Sequence, residues 1–142
     1  MVIEHVRNVL GFRDADHEES TPGAPRLAVT ALSCSLVGQE HAVQLVKGSQ
    51  TRSFYGVAET VEDYYCSYGV NPDFVPQLDE AGLAVAGLDD EKDVRIVELR
   101  DHPFFIGTLF VPQTRSTRER PHPILKAFEQ AVSRHARLVH PT

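Results

Sequence analysis

The stretch that decides the fold reads Asp101-His-Pro-Phe-Phe-Ile-Gly-Thr-Leu-Phe-Val111-Pro-Gln113-Thr-Arg-Ser116, and Pro121-His-Pro-Ile-Leu-Lys-Ala-Phe128 follows it closely. Its apolar run, Phe104 to Val111, has the length expected for a strand buried on both faces of a sheet. Pro123 suits the first turn of a helix, and the apolar residues after it recur at helical spacing. The stretch therefore predicts a buried strand, a polar loop and a closing amphipathic helix.

Outward from this stretch, the sequence predicts short helices and strands. Val2 to Leu10 carries apolar residues on one helical face, and Gly11 closes that segment. The other predicted elements are a bulged strand over 27–36 that forms a hairpin with 41–46, an extended segment over 57–68, a helix between Asn71 and Gly82 that is kinked at Pro76 or starts late, and strands over 83–86 and 94–99. This mixture predicts a single α/β domain over residues 1–142.

The stretch from Asp101 to Phe128 resembles the C-terminal end of the glutamine amidotransferase domain of CTP synthase. In that family it reads roughly D/N-H-P-F/W-F-x-A-x-Q-F-H-P-E-F-x-S, followed by P-H-P-L-F-x-x-F. Further matches in the same order are Val2-Ile-Glu-His-Val-Arg-Asn8, Ala15-Asp-His-Glu-Glu19, Tyr68-Gly-Val-Asn71 and Glu80-Ala-Gly-Leu83. The resemblance implies a class I glutamine amidotransferase-like α/β fold, with a truncated flavodoxin-like three-layer sheet and an added antiparallel hairpin.

The resemblance also implies that the catalytic triad is degenerate. The family's His-Pro-Glu supplies two members of a Cys-His-Glu triad, and Val111 and Gln113 stand at those two positions. The family's Gly-x-Cys-x-Gly elbow would lie just upstream of Met1, so we expect the N-terminal half with the nucleophile to be lacking. Losing one member of such a unit typically lowers the rate by about 10⁴-fold. We therefore predict no catalytic residues and no glutaminase activity of the chain on its own.

The substrate side of the site is half retained by the same comparison. Glu19 matches one of the two family residues that hold the amino acid part of glutamine, whereas Ser67 replaces the other, an arginine. The family's basic R-H-R-H-R tract has become Asp63-Tyr-Tyr-Cys-Ser67, which is aromatic and largely uncharged. We predict a remnant cleft that binds a small amide, an amino acid or a partner protein. Its predicted lining residues are Glu19, Tyr65, Cys66, Ser67, Tyr68 and Gln113.

Composition excludes several classes of partner. The formal net charge of −6 disfavours nucleic acid and anionic membranes, because phosphate binding needs a positive face. No apolar stretch is long enough to span a bilayer, and Met1 to Arg7 does not have the plan of a signal peptide. Cys34 and Cys66 are read as reduced thiols of a cytoplasmic protein. No zinc-type spacing appears among His17, His41, His102, His122, His135 and His140, so no metal or cofactor is expected.

The present role leaves three alternatives open. In the first, the chain is a catalytically inactive amidotransferase-like protein that acts by binding. In the second, it is the glutaminase-domain subunit of a split CTP synthase and is completed by a partner chain. In the third, it is a regulator that docks on CTP synthase. Because a half-domain leaves strand edges open, we also predict a homodimer.

Overall fold

The structure, a computed structural model, describes residues 1–139. It contains four α-helices, eight strands and two short 3₁₀ helices. In chain order these are α1 Val2–Asn8, β1 Ala15–His17, β2 Arg26–Ala31, β3 Gln39–Leu45, α2 Gln50–Tyr55, β4 Glu59–Tyr64, β5 Tyr68–Val70, a 3₁₀ helix Pro72–Phe74, α3 Val75–Glu80, β6 Leu83–Leu88, β7 Val94–Leu99, β8 Ile106–Thr108, a 3₁₀ helix Pro112–Arg115 and α4 Pro123–Val139.

The strands form two sheets. The larger sheet has the order β4-β3-β6-β7-β8, and neighbouring strands in it run antiparallel. An isolated bridge pairs Tyr64 at the end of β4 with Phe110, two residues after β8. The smaller sheet has the order β1-β2-β5, and its β1-β2 pair is the one parallel pair among the described strands. The described part of the fold is therefore a largely antiparallel α/β structure.

Helices cover the larger sheet on both faces and create two hydrophobic cores. Val6 from α1 and Leu78 from α3 pack with Leu83 and Val97 on one face. Ile96 points to the opposite face, because side chains alternate along a strand, and there it packs with Ile124 from α4. This arrangement has the three layers that the sequence predicted.

The predicted hairpin between 27–36 and 41–46 is wrong in its pairing. Strand β2 ends at Ala31 and pairs with β1 and β5 in the smaller sheet. Strand β3 pairs instead with β4 and β6. Leu36 lies between β2 and β3 and is buried in the second core, so its apolar character reflects a buried loop side chain and not a strand. The antiparallel hairpin of the structure is β3-β4.

The run from Phe104 to Val111 is also less regular than predicted. Only Ile106–Thr108 forms a strand, and its residues are half-buried, whereas Phe105 is exposed. Phe110 is the buried residue of the run, where it packs edge-on against Tyr64. The run pairs with β7 along one edge and meets β4 only at its end, through Phe110 and Val111, so one continuous strand does not form.

The helix boundaries agree with the sequence signals. Asn71 caps the 3₁₀ turn, its side chain accepting from the Asp73 amide at 3.0 Å, and α3 then begins at Val75. Pro76 sits at the start of α3, where a missing amide proton removes no helical hydrogen bond. Gly82 has a φ of 90° and ends the segment. Of the two alternatives that Pro76 allowed, a kink or a late start, the structure shows the late start, because α3 begins only at Val75 after the 3₁₀ turn.

Candidate functional site

Val111 and Gln113, the two positions that the resemblance aligns with the family's His-Pro-Glu, lie at the start of the second 3₁₀ helix, just after β8. The Val111 amide donates to the Asp63 carbonyl at 3.2 Å, which ties this segment to the end of β4. The Val111 side chain is half-buried, and Gln113 is exposed within the 3₁₀ helix. An isopropyl group transfers no proton, and a neutral amide does not stabilise an imidazolium. These two positions therefore carry no acid-base chemistry.

The segment 65–68 connects the two sheets. Tyr65 is 57% exposed. The Cys66 thiol donates to the Tyr68 carbonyl at 3.3 Å, and its sulfur lies 3.4 Å from the Tyr68 amide. The Ser67 hydroxyl lies 2.8 Å from the hydroxyl of Ser35. The Cys66 sulfur is therefore hydrogen bonded to backbone groups of its own segment.

Glu19 is exposed in the loop after β1. Its backbone amide donates to Nδ1 of His17 at 3.1 Å, so the proton of a neutral His17 ring lies on Nε2. The His17 ring packs on Tyr68 with a centroid distance of 4.9 Å. The end of β1 and segment 65–68 therefore meet where His17 packs on Tyr68. Glu19 follows His17 by two residues in the chain.

A cavity of about 300 Å³ opens beside this meeting point. Cys66 and Tyr68 line it, whereas Glu19, Tyr65, Ser67 and Gln113 of the predicted cleft do not. The polar side chains on its wall come from His17, Cys66, Tyr68, Arg95 and Thr108, and the apolar ones from Met1, Val2, Ile3, Val29, Val70, Val94, Ile96, Val97 and Leu109. Its size lies at the lower end of small-molecule sites, about 300–1,000 Å³.

Arg95 is a buried charge whose side chain is only 4% exposed, and with Asp89 and Asp93 it also lines a second pocket of about 200 Å³. Its Nη2 donates to Asp89 Oδ2 at 2.5 Å and lies 3.5 Å from Asp93 Oδ2. Within residues 1–139, its Nε and Nη1 have no partner, and neither has the buried hydroxyl of Tyr64. The guanidinium carbon lies 5.8 Å from the centre of the Tyr64 ring. A buried donor without a partner typically costs about 1–3 kcal/mol of folding stability, so these groups are expected to lower the stability of this region.

Burial also affects the acidity of Tyr64. Desolvation raises the pKa of Tyr64 well above its usual value, although the nearby charge of Arg95 opposes that shift. The phenol is therefore protonated at neutral pH, and its hydroxyl is available as a hydrogen-bond donor.

The sequence did not reveal a second cluster, which joins Glu62 on β4 to His122 and Tyr55. The Glu62 side chain is 2% exposed and that of His122 is 3% exposed. The Tyr55 hydroxyl donates to Glu62 at 2.6 Å, and His122 Nε2 lies 3.1 Å from Glu62 Oε2. His122 Nδ1 accepts from the Ile124 amide, so Nε2 carries the proton of the neutral ring and donates it to Glu62.

This cluster lies at the base of an open cleft of about 620 Å³. Burial and the Glu62 carboxylate raise the pKa of Tyr55, so its phenol remains a donor. Both oxygens of the Glu62 carboxylate are hydrogen bonded, which makes the cluster a structural link between β4, α2 and the start of α4. The one available signal was that Glu62 and His122 both fall in segments that resemble the amidotransferase family.

At the rim of the same cleft, Asp63 pairs with Arg115. Arg115 Nη1 donates to Asp63 Oδ1 at 2.6 Å, and the Thr114 hydroxyl donates to Oδ2 at 3.0 Å. The hydrogen bond from Arg115, assisted by the one from Thr114, lowers the pKa of Asp63 below its usual value. Arg115, the last residue of the second 3₁₀ helix, therefore forms an internal ion pair with Asp63.

Residues 1–139 contain no group of three histidine, cysteine or acidic side chains that is arranged to hold a metal ion. None of the described helices combines the length and the apolar character that crossing a bilayer requires. His140, one of the histidines considered in the sequence, lies outside the described residues.

No protein-family model matches the chain. Comparison with individual known proteins does find relatives, and those described next are CTP synthases. A CTP synthase from Cytophaga hutchinsonii is 35% identical over 142 residues, which cover 93% of this chain and 26% of that protein. A CTP synthase from Pyrobaculum calidifontis is 36% identical over 146 residues, which cover 96% of this chain and 28% of that protein. The chain thus spans about a quarter of the length of these relatives.

Comparison with solved structures also finds a CTP synthase. The glutaminase domain of Trypanosoma brucei CTPS with bound acivicin superposes with a TM-score of 0.87 at 28% identity, covering 94% of this chain and 56% of that one. A protein from Thermoplasma acidophilum that is described as part of a GMP synthase, at 14% identity and a TM-score of 0.57, shares the fold alone.

These matches place the fold among the class I glutamine amidotransferases. Within that class, the chain is a homologue of CTP synthase over nearly all of its length, in the region of the glutaminase domain.

Proposed function

We propose that this chain is a CTP synthase-related glutamine amidotransferase-like domain that does not hydrolyse glutamine and acts by binding. The observation that carries the proposal is the chemistry of Val111 and Gln113. By the resemblance they occupy the positions of the family's triad histidine and glutamate, within a motif that matches at most of its other fixed positions but also differs at Gly107, Leu109 and Thr114. Thiol-based hydrolysis of an amide needs a base beside the thiol and a group that orients the base.

The arrangement around the two thiols supports the same proposal. Cys34 is exposed, and Cys66 is hydrogen bonded to the backbone of Tyr68. Within residues 1–139, no histidine lies within hydrogen-bond distance of either sulfur. We also propose that the protein is cytoplasmic, and the two free cysteines support that proposal because disulfides are rare in reducing compartments.

The experiment measures hydrolysis and binding on one preparation. The purified chain is incubated with L-glutamine while glutamate is quantified, and thermal shift follows a panel of amides and amino acids. We expect no glutamate above the protein-free blank, together with stabilisation by at least one compound. Glutamate release that is lost in Cys66→Ser or Glu19→Ala would show a working glutaminase and overturn the proposal.

One observation favours a second role, as the glutaminase subunit of a split CTP synthase completed by a partner chain. The chain covers 56% of the solved glutaminase domain that it matches. Mixing it with the separately produced remainder of a CTP synthase tests this role. Glutamine-dependent CTP formation that rises further with the double substitution Val111→His and Gln113→Glu would favour it over the inactive domain.

Protein binding is the third part of the proposal, either as a homodimer or as a regulator that docks on CTP synthase. It is supported by the exposed apolar face of α4. Phe128, Val132 and Leu138 lie on that face, and Leu138 is 80% exposed. Phe104 packs against Phe128 with a ring distance of 5.3 Å, which extends the face onto the 104–105 segment. Exposed apolar patches of this kind mark contact surfaces.

A further inference from the structure

The two cysteines of the chain lie on neighbouring segments of the fold, although they are far apart in sequence. Cys34 lies in the loop between β2 and β3, and both ends of that loop are hydrogen bonded to the segment that carries Cys66. The Leu32 amide donates to the Ser67 carbonyl at 2.8 Å, and the Leu36 amide donates to the Cys66 carbonyl at 3.2 Å. The fold therefore brings the two thiols into one small region.

Side-chain contacts hold the same loop in place. The Ser35 hydroxyl lies 2.8 Å from the Ser67 hydroxyl. The side chain of Leu32 packs on Gly69, where an added Cβ would lie 2.7 Å from Leu32 Cδ2. The loop is therefore fastened to this segment through its backbone and its side chains, on both sides of the cysteine.

This attachment limits how far apart the two cysteines can lie. Cys34 is two residues from Leu32 and two from Leu36, and two residues span at most about 7 Å. A disulfide needs a Cα separation of about 4.4–6.8 Å. The two sulfurs face different hollows, since Cys34 lines the pocket of about 200 Å³ and Cys66 lines the cavity of about 300 Å³. The loop must therefore move before a bond forms.

The loop is built for such a movement. Ser33, Cys34 and Ser35 are exposed and lie outside the helices and strands, so their small side chains leave little packing to disrupt. The thiol of Cys66 gives up only its hydrogen bond to the Tyr68 carbonyl, at 3.3 Å, and a thiol is a weak donor. A local shift can therefore bring the two sulfurs together while both sheets stay intact.

The difference in exposure gives the two thiols different roles. Redox-sensitive cysteines are typically accessible to solvent and lie next to a second cysteine that resolves the oxidised form. Cys34 is exposed and meets an oxidant first, whereas Cys66 is half-buried beside it. Disulfides of cytosolic proteins are usually transient and catalytic or redox-sensing. A reversible bond is therefore compatible with the two free thiols of this structure.

We propose that Cys34 and Cys66 form a reversible intramolecular disulfide when the protein meets a peroxide. The Cys34 thiolate attacks one peroxide oxygen and the O–O bond breaks, which leaves a sulfenic acid on Cys34 and a hydroxide that takes up the thiol proton to give water. The Cys66 sulfur then attacks the Cys34 sulfur, the S–O bond breaks, and the hydroxyl leaves with the second thiol proton as water. Two thiols thus lose two hydrogen atoms to the peroxide, and a dithiol reductant restores both.

The disulfide changes the region where the two sheets meet. It fastens the loop between β2 and β3 to segment 65–68 covalently, and it withdraws the Cys66 sulfur from the wall of the larger cavity. The proposal goes beyond the binding role proposed above and does not depend on it.

The test treats the reduced whole chain with hydrogen peroxide, alkylates the remaining thiols and maps the peptides by mass spectrometry without reduction. We expect a cross-link between the peptides that contain Cys34 and Cys66, in a species that migrates as one chain on a denaturing gel. The yield should not change with protein concentration, because the bond forms within one chain. Dithiothreitol should restore both thiols.

Variants distinguish proximity from reactivity alone. In Cys66→Ser, the sulfenic acid on Cys34 has no resolving thiol, so its trapping by dimedone should increase several-fold. The double variant Cys34→Ser with Ser53→Cys keeps one exposed thiol but moves it to α2, which packs against α4. This control should form no intramolecular disulfide. Circular dichroism of each variant checks that it is folded.

The proposal would be overturned if Cys66 stayed open to alkylation after peroxide treatment, or if Cys34 bonded only to a second chain. An equal yield of intramolecular disulfide in the double variant would also overturn it, since placement beside segment 65–68 would then not decide which thiols react. The assay for glutamate release is independent of these readouts, so a failure here is distinguishable from a failure of the proposed function.

Discussion

At the scale of single residues, two side chains without acid-base chemistry lie in the same fold as a buried, hydrogen-bonded carboxylate. Val111 and Gln113 carry no acid-base function, yet Glu62 remains buried and hydrogen bonded through both carboxylate oxygens. A buried carboxylate keeps its place only when donors surround it. Tyr55 and His122 provide those donors, so we assign Glu62 to stability and not to catalysis.

Substituting Glu62 with alanine should destabilise the fold strongly. The change leaves the Tyr55 hydroxyl and the His122 ring without their acceptor in a buried site. We expect a loss of about 3 kcal/mol or more in the free energy of unfolding, as is typical when one partner of a buried pair is removed. Urea unfolding monitored by circular dichroism measures it. Glu59→Ala, at an exposed position of the same strand, is the control and should change stability by less than about 0.5 kcal/mol.

The Asp63-Arg115 pair should make stability depend on pH. The pKa of Asp63 is lowered in the folded state, so the unfolded chain binds a proton more readily and stability rises with pH. The contribution is complete above the unfolded pKa, about 3.9, and it is lost as the pH falls through the folded value.

Arg115→Ala removes the main cause of the lowered pKa. The stability difference between the unaltered chain and this variant should therefore be present at pH 6 and shrink steadily as the pH falls below about 4. Urea titrations from acid to neutral pH measure this difference. A difference that stays constant with pH would show that Arg115 acts through packing alone.

At the scale of elements, Glu98 on β7 organises the start of α2. Its carboxylate accepts from the amides of Gln50 and Thr51 at 2.8 and 2.9 Å and from the Thr51 hydroxyl at 2.8 Å. Negative charge at a helix N-terminus is favourable, and these amides have no partner within the helix. A strand residue therefore caps a helix that is distant in sequence.

Glu98→Gln should loosen α2 selectively. An amide accepts fewer hydrogen bonds than a carboxylate and carries no charge, so we expect a loss of about 1–3 kcal/mol. Hydrogen exchange followed by mass spectrometry should show faster exchange in 50–55, with little change in α3. Uniform acceleration across both helices would mean that Glu98 supports the whole core instead.

The sequence predicted individual helices and strands better than it predicted which strands pair. Capping residues and the spacing of apolar residues predicted α1, α3 and α4. The charged residues 89–93 predicted the turn between β6 and β7. Both kinds of signal are local in sequence. Pairing depends on distant residues, so the β2-β5 and β3-β6 contacts were not foreseen. Likewise, Arg95 and His122 gained their significance only from burial against remote segments.

At the scale of the whole molecule, the exposed face of α4 leads to the expectation of self-association. Phe128, Val132 and Leu138 are apolar and exposed together with the neighbouring Phe105. A stable interface buries roughly 1,000 Å² or more in total.

Light scattering after size-exclusion chromatography should accordingly give about twice the chain mass of 15.8 kDa. Phe128→Glu should shift the protein to a monomer, because a charge would be buried at the contact. Val57→Glu, at an exposed apolar residue outside α4, is the matched control and should leave the dimer intact. A single 15.8 kDa species for the unaltered chain would contradict this expectation.

The central claim is that an amidotransferase fold persists here without amidotransferase chemistry. Hydrolysis of ¹⁵N-amide glutamine, followed by NMR at saturating substrate, tests it most directly. We predict that ammonium appears no faster than in a protein-free blank, for the unaltered chain and for Cys34→Ser and Cys66→Ser alike. Ammonium release above the blank that either cysteine substitution abolishes would contradict the claim.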